Sequence, residues 1–144
     1  MAIADVLQAR ASVTIKASPE RCFDAWLDPV IAGQFMTGRT EMTATLENEP
    51  VEGGAFRLTM RDGRGAYEHE GRYVLIDRPR RLVFTWVSLG TQERLSLVTV
   101  TFTPGADGVR VDLLHEGVPD DVAAQEHAQG WAVVMTQLKL SLEA

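Results

Sequence analysis

Apolar and polar residues alternate from Ala9 to Lys16, with Ala11, Val13 and Ile15 on one parity and Ser12, Thr14 and Lys16 on the other. A period of two is the mark of a half-buried strand. At Ser18-Pro19-Glu20-Arg21 the pattern changes to a helix start. Serine is a good N-cap, proline suits the first helical position, and an acid in the first turn complements the helix dipole. Phe23, Trp26 and Leu27 give this helix an apolar stripe, and Asp28-Pro29 interrupts it. Val30 to Met36 predicts a second short helix, ended by Thr37-Gly38.

The middle of the chain reads as strands. Arg39 to Leu46 alternates weakly, and Ala55 to Arg61 alternates clearly, with Phe56, Leu58 and Met60 on one face. Asp62-Gly63-Arg64-Gly65 is a hairpin turn by composition. Tyr67 to Ile76, Arg81 to Val87, Arg94 to Thr103 and Val109 to His115 are further strands, separated by the turns Asp77-Arg78-Pro79-Arg80 and Pro104 to Gly108. Pro119-Asp120-Asp121 then opens a helix that runs nearly to the end. Its residues Ala124, Ala128, Trp131, Val134, Met135, Leu138 and Leu142 keep three- and four-residue spacing. Gly130 interrupts that helix at a cost of roughly 1 kcal/mol relative to alanine, which a close approach to the sheet would explain. Consecutive strands with short turns imply an antiparallel meander. The predicted fold is therefore α+β, one domain over residues 1–144, in which a curved antiparallel sheet of six to seven strands wraps a long C-terminal helix.

Composition narrows the function. The formal charge is −6 and the sequence pI is near 5.0, which argues against nucleic acid and anionic membranes as partners. The single cysteine, Cys22, excludes an internal disulfide, and its helical neighbours suggest a buried structural thiol. MAIADVLQAR lacks the basic and apolar regions of a signal peptide, and no run of apolar residues is long enough to span a bilayer, so a cytoplasmic location is expected.

Three stretches resemble a known family. FDAWLDPVIAGQFM (Phe23 to Met36) is similar to a helix–Asp-Pro–helix segment, and EGRYVLIDRPRRLVFTW (Glu70 to Trp86) to a pair of central strands. HEGVPDD (His115 to Asp121), followed by Gly130-Trp131, is similar to the entry and middle of a closing helix. Together they resemble the SRPBCC superfamily of START-like, helix-grip proteins, and within it the heat-shock-protein ATPase activator homologues. Phe35 stands where many relatives place a tryptophan. The resemblance implies a helix-grip fold with a cavity between sheet and C-terminal helix. It leaves the function open, since one fold serves many roles.

Strand parity nominates the cavity wall. Phe56, Leu58 and Met60 face the helix, with Tyr67, His69, Tyr73 and Leu75 on the next strand, and then Leu82, Phe84 and Trp86. Val98, Val100 and Phe102 form the next row, with Val109, Val111, Leu113 and His115 beyond. Phe35 borders the pocket, and Trp131, Met135 and Leu138 close it from the helix. A bulge would slip this assignment by one residue. The simpler reading of these side chains is core filling; the sharper one is an apolar pocket with a few convergent polar groups. Tyr67, His69, Tyr73 and His115 are those polar groups, and each histidine is expected to be satisfied by a neighbouring carboxylate or backbone group. His127 is expected in solvent, with the cavity entrance as the alternative. Three scattered histidines, no H-E-x-x-H, no phosphate loop and no G-x-S-x-G nominate no metal, no cofactor and no catalytic residue.

The leading expectation is a binding protein for a hydrophobic or amphipathic small molecule. The resemblance adds a chaperone or another protein as an alternative partner, in a stress-response role. A cyclase- or hydrolase-type enzyme using the cavity His and Tyr residues is the third reading. Nothing in the sequence chooses between monomer and homodimer.

Overall fold

A computed structural model describes residues 7–39 and 41–144. The first six residues, on which the leader reading chiefly rests, lie outside the described residues. The chain runs β1 (Gln8–Ile15), α1 (Pro19–Asp24), α2 (Pro29–Phe35), β2 (Thr43–Asn48), β3 (Ala55–Asp62), β4 (Gly65–Asp77), β5 (Arg81–Trp86), β6 (Ser96–Gly105), β7 (Gly108–Glu116) and α3 (Asp121–Glu143). A 3-10 turn at Leu89–Thr91 lies between β5 and β6.

The helices start where short polar side chains satisfy their first backbone donors. Ser18 Oγ accepts from Arg21 N at 3.1 Å, Asp28 Oδ1 from Val30 N at 2.9 Å, and Asp120 Oδ1 from Ala123 N at 2.8 Å. Pro19 and Pro29 succeed their caps at the first helical positions, which lack a useful donor anyway. Asp28-Pro29 thus starts α2, after a turn that follows the C-cap of α1 at Ala25.

All seven strands form one antiparallel sheet in the order β1-β7-β6-β5-β4-β3-β2, curled into a half-barrel around α3. This is the α+β helix-grip fold. The long helix lies across the concave side. Val134, Met135, Leu138 and Leu142 of α3 are buried with Ile15, Phe102, Val109 and Val111 of the strands. Near the last turns of α3, Lys139 Nζ donates to Thr14 O at 3.0 Å and Glu143 Oε2 accepts from Lys16 N at 2.8 Å. Among the described residues, no helix is long and apolar enough to cross a membrane.

Two sequence expectations shift. The strand expected from Arg39 begins only at Thr43, where pairing with Arg61 starts. The segment before it turns toward α3 instead, and Gln137 Nε2 donates to Thr37 O at 3.3 Å. In β4 a bulge between Tyr73 and Leu75 reverses the parity of the rest of the strand. Leu75 therefore leaves the concave face, and Ile76 packs against the core in its place. Upstream of that bulge, a Cβ on Gly71 would stand 2.0 Å from Thr85 O and 2.5 Å from the Phe56 ring. Only glycine lets β4 pass that close to its neighbours.

Candidate functional site

Between the first half of α3 and the β3–β4 end of the sheet lies a solvent-connected cavity of about 920 Å³. That volume is typical of small-molecule sites. The sheet supplies Met60, Tyr67, His69 and Trp86. The helix supplies His127, Gly130, Trp131 and Val134, and the segment after α2 contributes Gly38, Arg39 and Met42. The loop after β5 adds Ser88, Leu89, Gly90 and Glu93.

The wall is aromatic. The Trp86 and Trp131 ring centroids lie 5.1 Å apart, and the His69 ring lies 4.8 Å from that of Trp86. His69 Nδ1 is 3.3 Å from Leu58 O, a carbonyl that must accept, so the proton sits on Nδ1 when that bond is made. Burial pushes the His69 pKa below its usual value and outweighs the opposing hydrogen bond to Leu58. Among the described residues, the Trp86 Nε1–H is buried without a protein acceptor.

His115 has another role. It is fully buried behind the two tryptophans. Trp131 Nε1–H donates to His115 Nδ1 at 3.0 Å, so Nδ1 is the unprotonated nitrogen. Nε2 then carries the proton and donates to Ser96 Oγ at 2.7 Å, and that hydroxyl donates to Trp86 O at 2.5 Å. The chain from α3 through β7 and β6 to β5 is complete and has one proton order. An added proton on Nδ1 would face the indole donor. Burial lowers the His115 pKa to about 3, with the charge of His127 a smaller contribution. With both nitrogens engaged and no exposure, His115 offers nothing to a substrate. It ties the helix to the sheet.

His127 is half-buried in the wall rather than in solvent. Its Nδ1 donates to Ala123 O at 2.7 Å, one helical turn back. Its ring lies 4.9 Å from His115, edge to face. The loop after β5 holds it there: a Cβ on Gly90 would come within 3.1 Å of the ring. That loop has no helical or strand period, which is why sequence alone placed His127 outside.

Of the nominated wall residues, the structure brings Met60, Tyr67, His69, Trp86 and Trp131 together around the cavity. The others lie deeper. Phe56 packs edge-on against Phe84 and beside Tyr73, whose hydroxyl accepts from Asn48 Nδ2 at 3.1 Å. Leu58, Val100, Leu113 and Met135 are buried in the core. Phe35 stacks edge-on against Trp26, away from the opening. Parity identifies the concave face, but α3 lies directly on most of it. Only the positions that the helix leaves uncovered line open space.

Arg39 pairs with Asp62, which Tyr67 Oη also approaches at 3.3 Å. The backbone N–H of Arg64, ahead of Arg39, holds the Asp62 carboxyl below its usual pKa. Arg39 and Met42 also border a second hollow of about 550 Å³ beside the β3–β4 turn. Among the described residues, no group of three or more His, Cys, Asp or Glu is placed to hold a metal. Cys22 is buried in α1, and burial raises its thiol pKa to about 11.

Residues 16–143 match the family model described as Activator of Hsp90 ATPase homolog 1-like protein. The chain belongs to this family. The solved structures agree on the fold. Protein CV1439 from Chromobacterium violaceum superposes with a TM-score of 0.87 at 22% identity, covering 96% of this chain and 98% of that one. An AHSA1-like protein from Aeromonas hydrophila gives 0.78 at 21% identity, covering 94% and 92%. Protein NE0264 from Nitrosomonas europaea gives 0.79 at 15% identity, covering 95% and 94%. No curated protein matches the chain.

Proposed function

We propose that this member of the Hsp90-ATPase-activator-homologue family binds an amphipathic small molecule in the cavity under the first half of α3. One observation carries the reading. Gly130 sits in mid-helix, where glycine costs roughly 1 kcal/mol relative to alanine, and packing does not require it. A Cβ there would meet only Gly38 Cα, at an ordinary 4.0 Å. Gly38 faces it with the same spare room, and both glycines line the cavity. The expected close approach is to this loop, not to the sheet. What the missing side chains do is leave the mouth wide. Aromatic and methionine walls beside half-buried polar groups are the lining that small amphiphiles favour.

The test is an NMR titration of the full chain with ten-carbon amphiphiles that are neutral, cationic and anionic. At least one should bind saturably, shift the Trp131 and His127 signals, and lose binding in Gly130→Leu while circular dichroism stays native. Absence of saturable shifts at these residues for all three probes would reject the reading.

The family description favours a second reading, stimulation of a chaperone ATPase through protein contact. An Hsp90 ATPase assay with the purified chain decides it: no change in turnover at saturating protein removes it.

A further inference from the structure

The cavity wall carries two histidines with the same proton arrangement. His69 on β4 and His127 on α3 both line it, and both are half-buried. His69 Nδ1 lies 3.3 Å from Leu58 O, and His127 Nδ1 lies 2.7 Å from Ala123 O. A carbonyl can only accept, so in each neutral ring the proton is on Nδ1 and Nε2 keeps its lone pair. Neither Nε2 has a hydrogen-bond partner among the described residues. Among those residues, the only fully buried side-chain nitrogens or oxygens without a partner are the indole nitrogens of Trp26 and Trp86. Both imidazole lone pairs therefore reach open space rather than being sealed in the core. Neighbouring donors are turned elsewhere: Trp131 Nε1–H onto His115, the Tyr67 hydroxyl onto Asp62, and Arg39 onto the same carboxylate. This wall thus presents neutral acceptors set among aromatic rings.

We propose that the occupant is an alcohol or phenol whose hydroxyl donates its hydrogen bond to His69 Nε2, with its apolar body laid against Met60, Trp86 and Trp131. This assignment rests on the proposed cavity binding and names the ligand's chemical class. His69 is the acceptor because its ring lies 4.8 Å from that of Trp86, beside the apolar wall, and Leu58 O on the neighbouring strand fixes its tautomer. A carboxylate, sulfate or ether head brings lone pairs to a lone pair, and a trimethylammonium head has no proton to give. A primary ammonium can donate, but taking its charge out of water costs far more than burying a hydroxyl. Burial lowers the His69 pKa, which keeps the ring neutral and Nε2 an acceptor near neutral pH.

Titrating the full chain with 1-decanol, its isomer 1-methoxynonane, decyltrimethylammonium and decanoate tests this. The ether has the same atoms as the alcohol and can accept, but it cannot donate. The alcohol should bind about three- to tenfold tighter than the ether, the worth of one hydrogen bond, and tighter than either ion. Long-range nitrogen–proton spectra of the histidine rings should show His69 as the Nδ1–H tautomer. Its Nε2 resonance should move on adding the alcohol and stay in place on adding the ether. His69→Phe keeps an aromatic ring beside Trp86; it should bring the alcohol down to the ether's affinity and leave the ether within about twofold. The wild-type comparison of alcohol with ether decides the matter even if that variant misfolds. Equal affinities for alcohol and ether, tighter binding of either ion, an Nε2–H tautomer at His69, or a retained alcohol preference in folded His69→Phe overturns the assignment but leaves cavity binding standing. If none of the probes shifts the Trp131 and His127 signals, both readings fall.

Discussion

The two halves of α3 meet the sheet on different terms. Toward its C-terminus, Val134, Met135, Leu138 and Leu142 are buried in succession, and Lys139 and Glu143 fasten the helix to the end of β1. Toward its N-terminus, only Ala123 and Trp131 are buried, while His127 and Gly130 face a cavity. One helix thus serves as core at one end and as a roof at the other. The joint between the two regimes is Trp131, whose indole closes the buried chain to His115 and whose ring still borders open space. A fold gains stability from the first half of this arrangement and a binding volume from the second.

Paired truncations challenge this contrast most directly. Leu138→Ala should cost about 2–5 kcal/mol, because a fully buried side chain leaves a void in a packed region. Met42→Ala, on the half-buried wall facing the open half, should cost under about 1 kcal/mol, because the space it leaves is already solvated. Urea denaturation with unchanged slope reads both. Equal losses would mean that the cavity end is packed as tightly as the other.

Acid probes the joint between the halves. His115 is neutral when folded, with a pKa of about 3 against about 6.5 when unfolded. The unfolded chain therefore binds more protons between these values, so stability is full above about pH 6.5 and is lost as pH falls toward 3. Between pH 7 and 5 this one group should remove about 2 kcal/mol. His69 is lowered too and acts in the same direction. Asp24, Asp62, Asp77 and Glu143 are also lowered, and their losses come at lower pH, below ordinary carboxylate values. A denaturation series at pH 7, 6 and 5 should show the decline in the wild type and a flatter profile in His115→Gln. Parallel profiles would show that His115 does not carry the slope.

The scaffold was easier to read from sequence than the opening, and particular residues explain why. Ser18, Asp28 and Asp120 are local signals: a short polar side chain beside a proline or an acid fixes a helix start without help from the fold. Period two placed Phe56, Leu58, Leu113 and His115 on the concave face. It could not say that α3 lies on them, because coverage depends on helix placement and sheet curl. The bulge at Tyr73/Leu75 moved Leu75 off that face, a change that no alternation pattern announces. Glu93, Gly90 and Ser88 sit on a loop whose path is set by tertiary contacts, with Gln92 and Glu93 at φ 55° and 60°. Gly130, a poor helix former in mid-helix, was a legible clue too, but sequence alone suggested a close approach to the sheet, whereas the residue opposite it is Gly38.

That clue supplies the mildest and most specific change. Gly130→Ala adds one methyl group at 4.0 Å from Gly38 Cα, a distance at which nothing must move. It also restricts the unfolded chain and improves helix propensity, so the protein should gain about 0.5–1 kcal/mol. If the glycine is kept for packing, the substitution will destabilise instead, and the halves of α3 do not differ as described. If it is kept for the opening, stability rises while affinity for a ten-carbon amphiphile falls, because each added carbon narrows the gap between helix and loop. Thermal denaturation and the same titration, run on Gly130→Ala and Gly38→Ala in parallel, should therefore move in opposite directions for Gly130→Ala. Gly38→Ala, outside any helix, should weaken binding without the gain in helix stability.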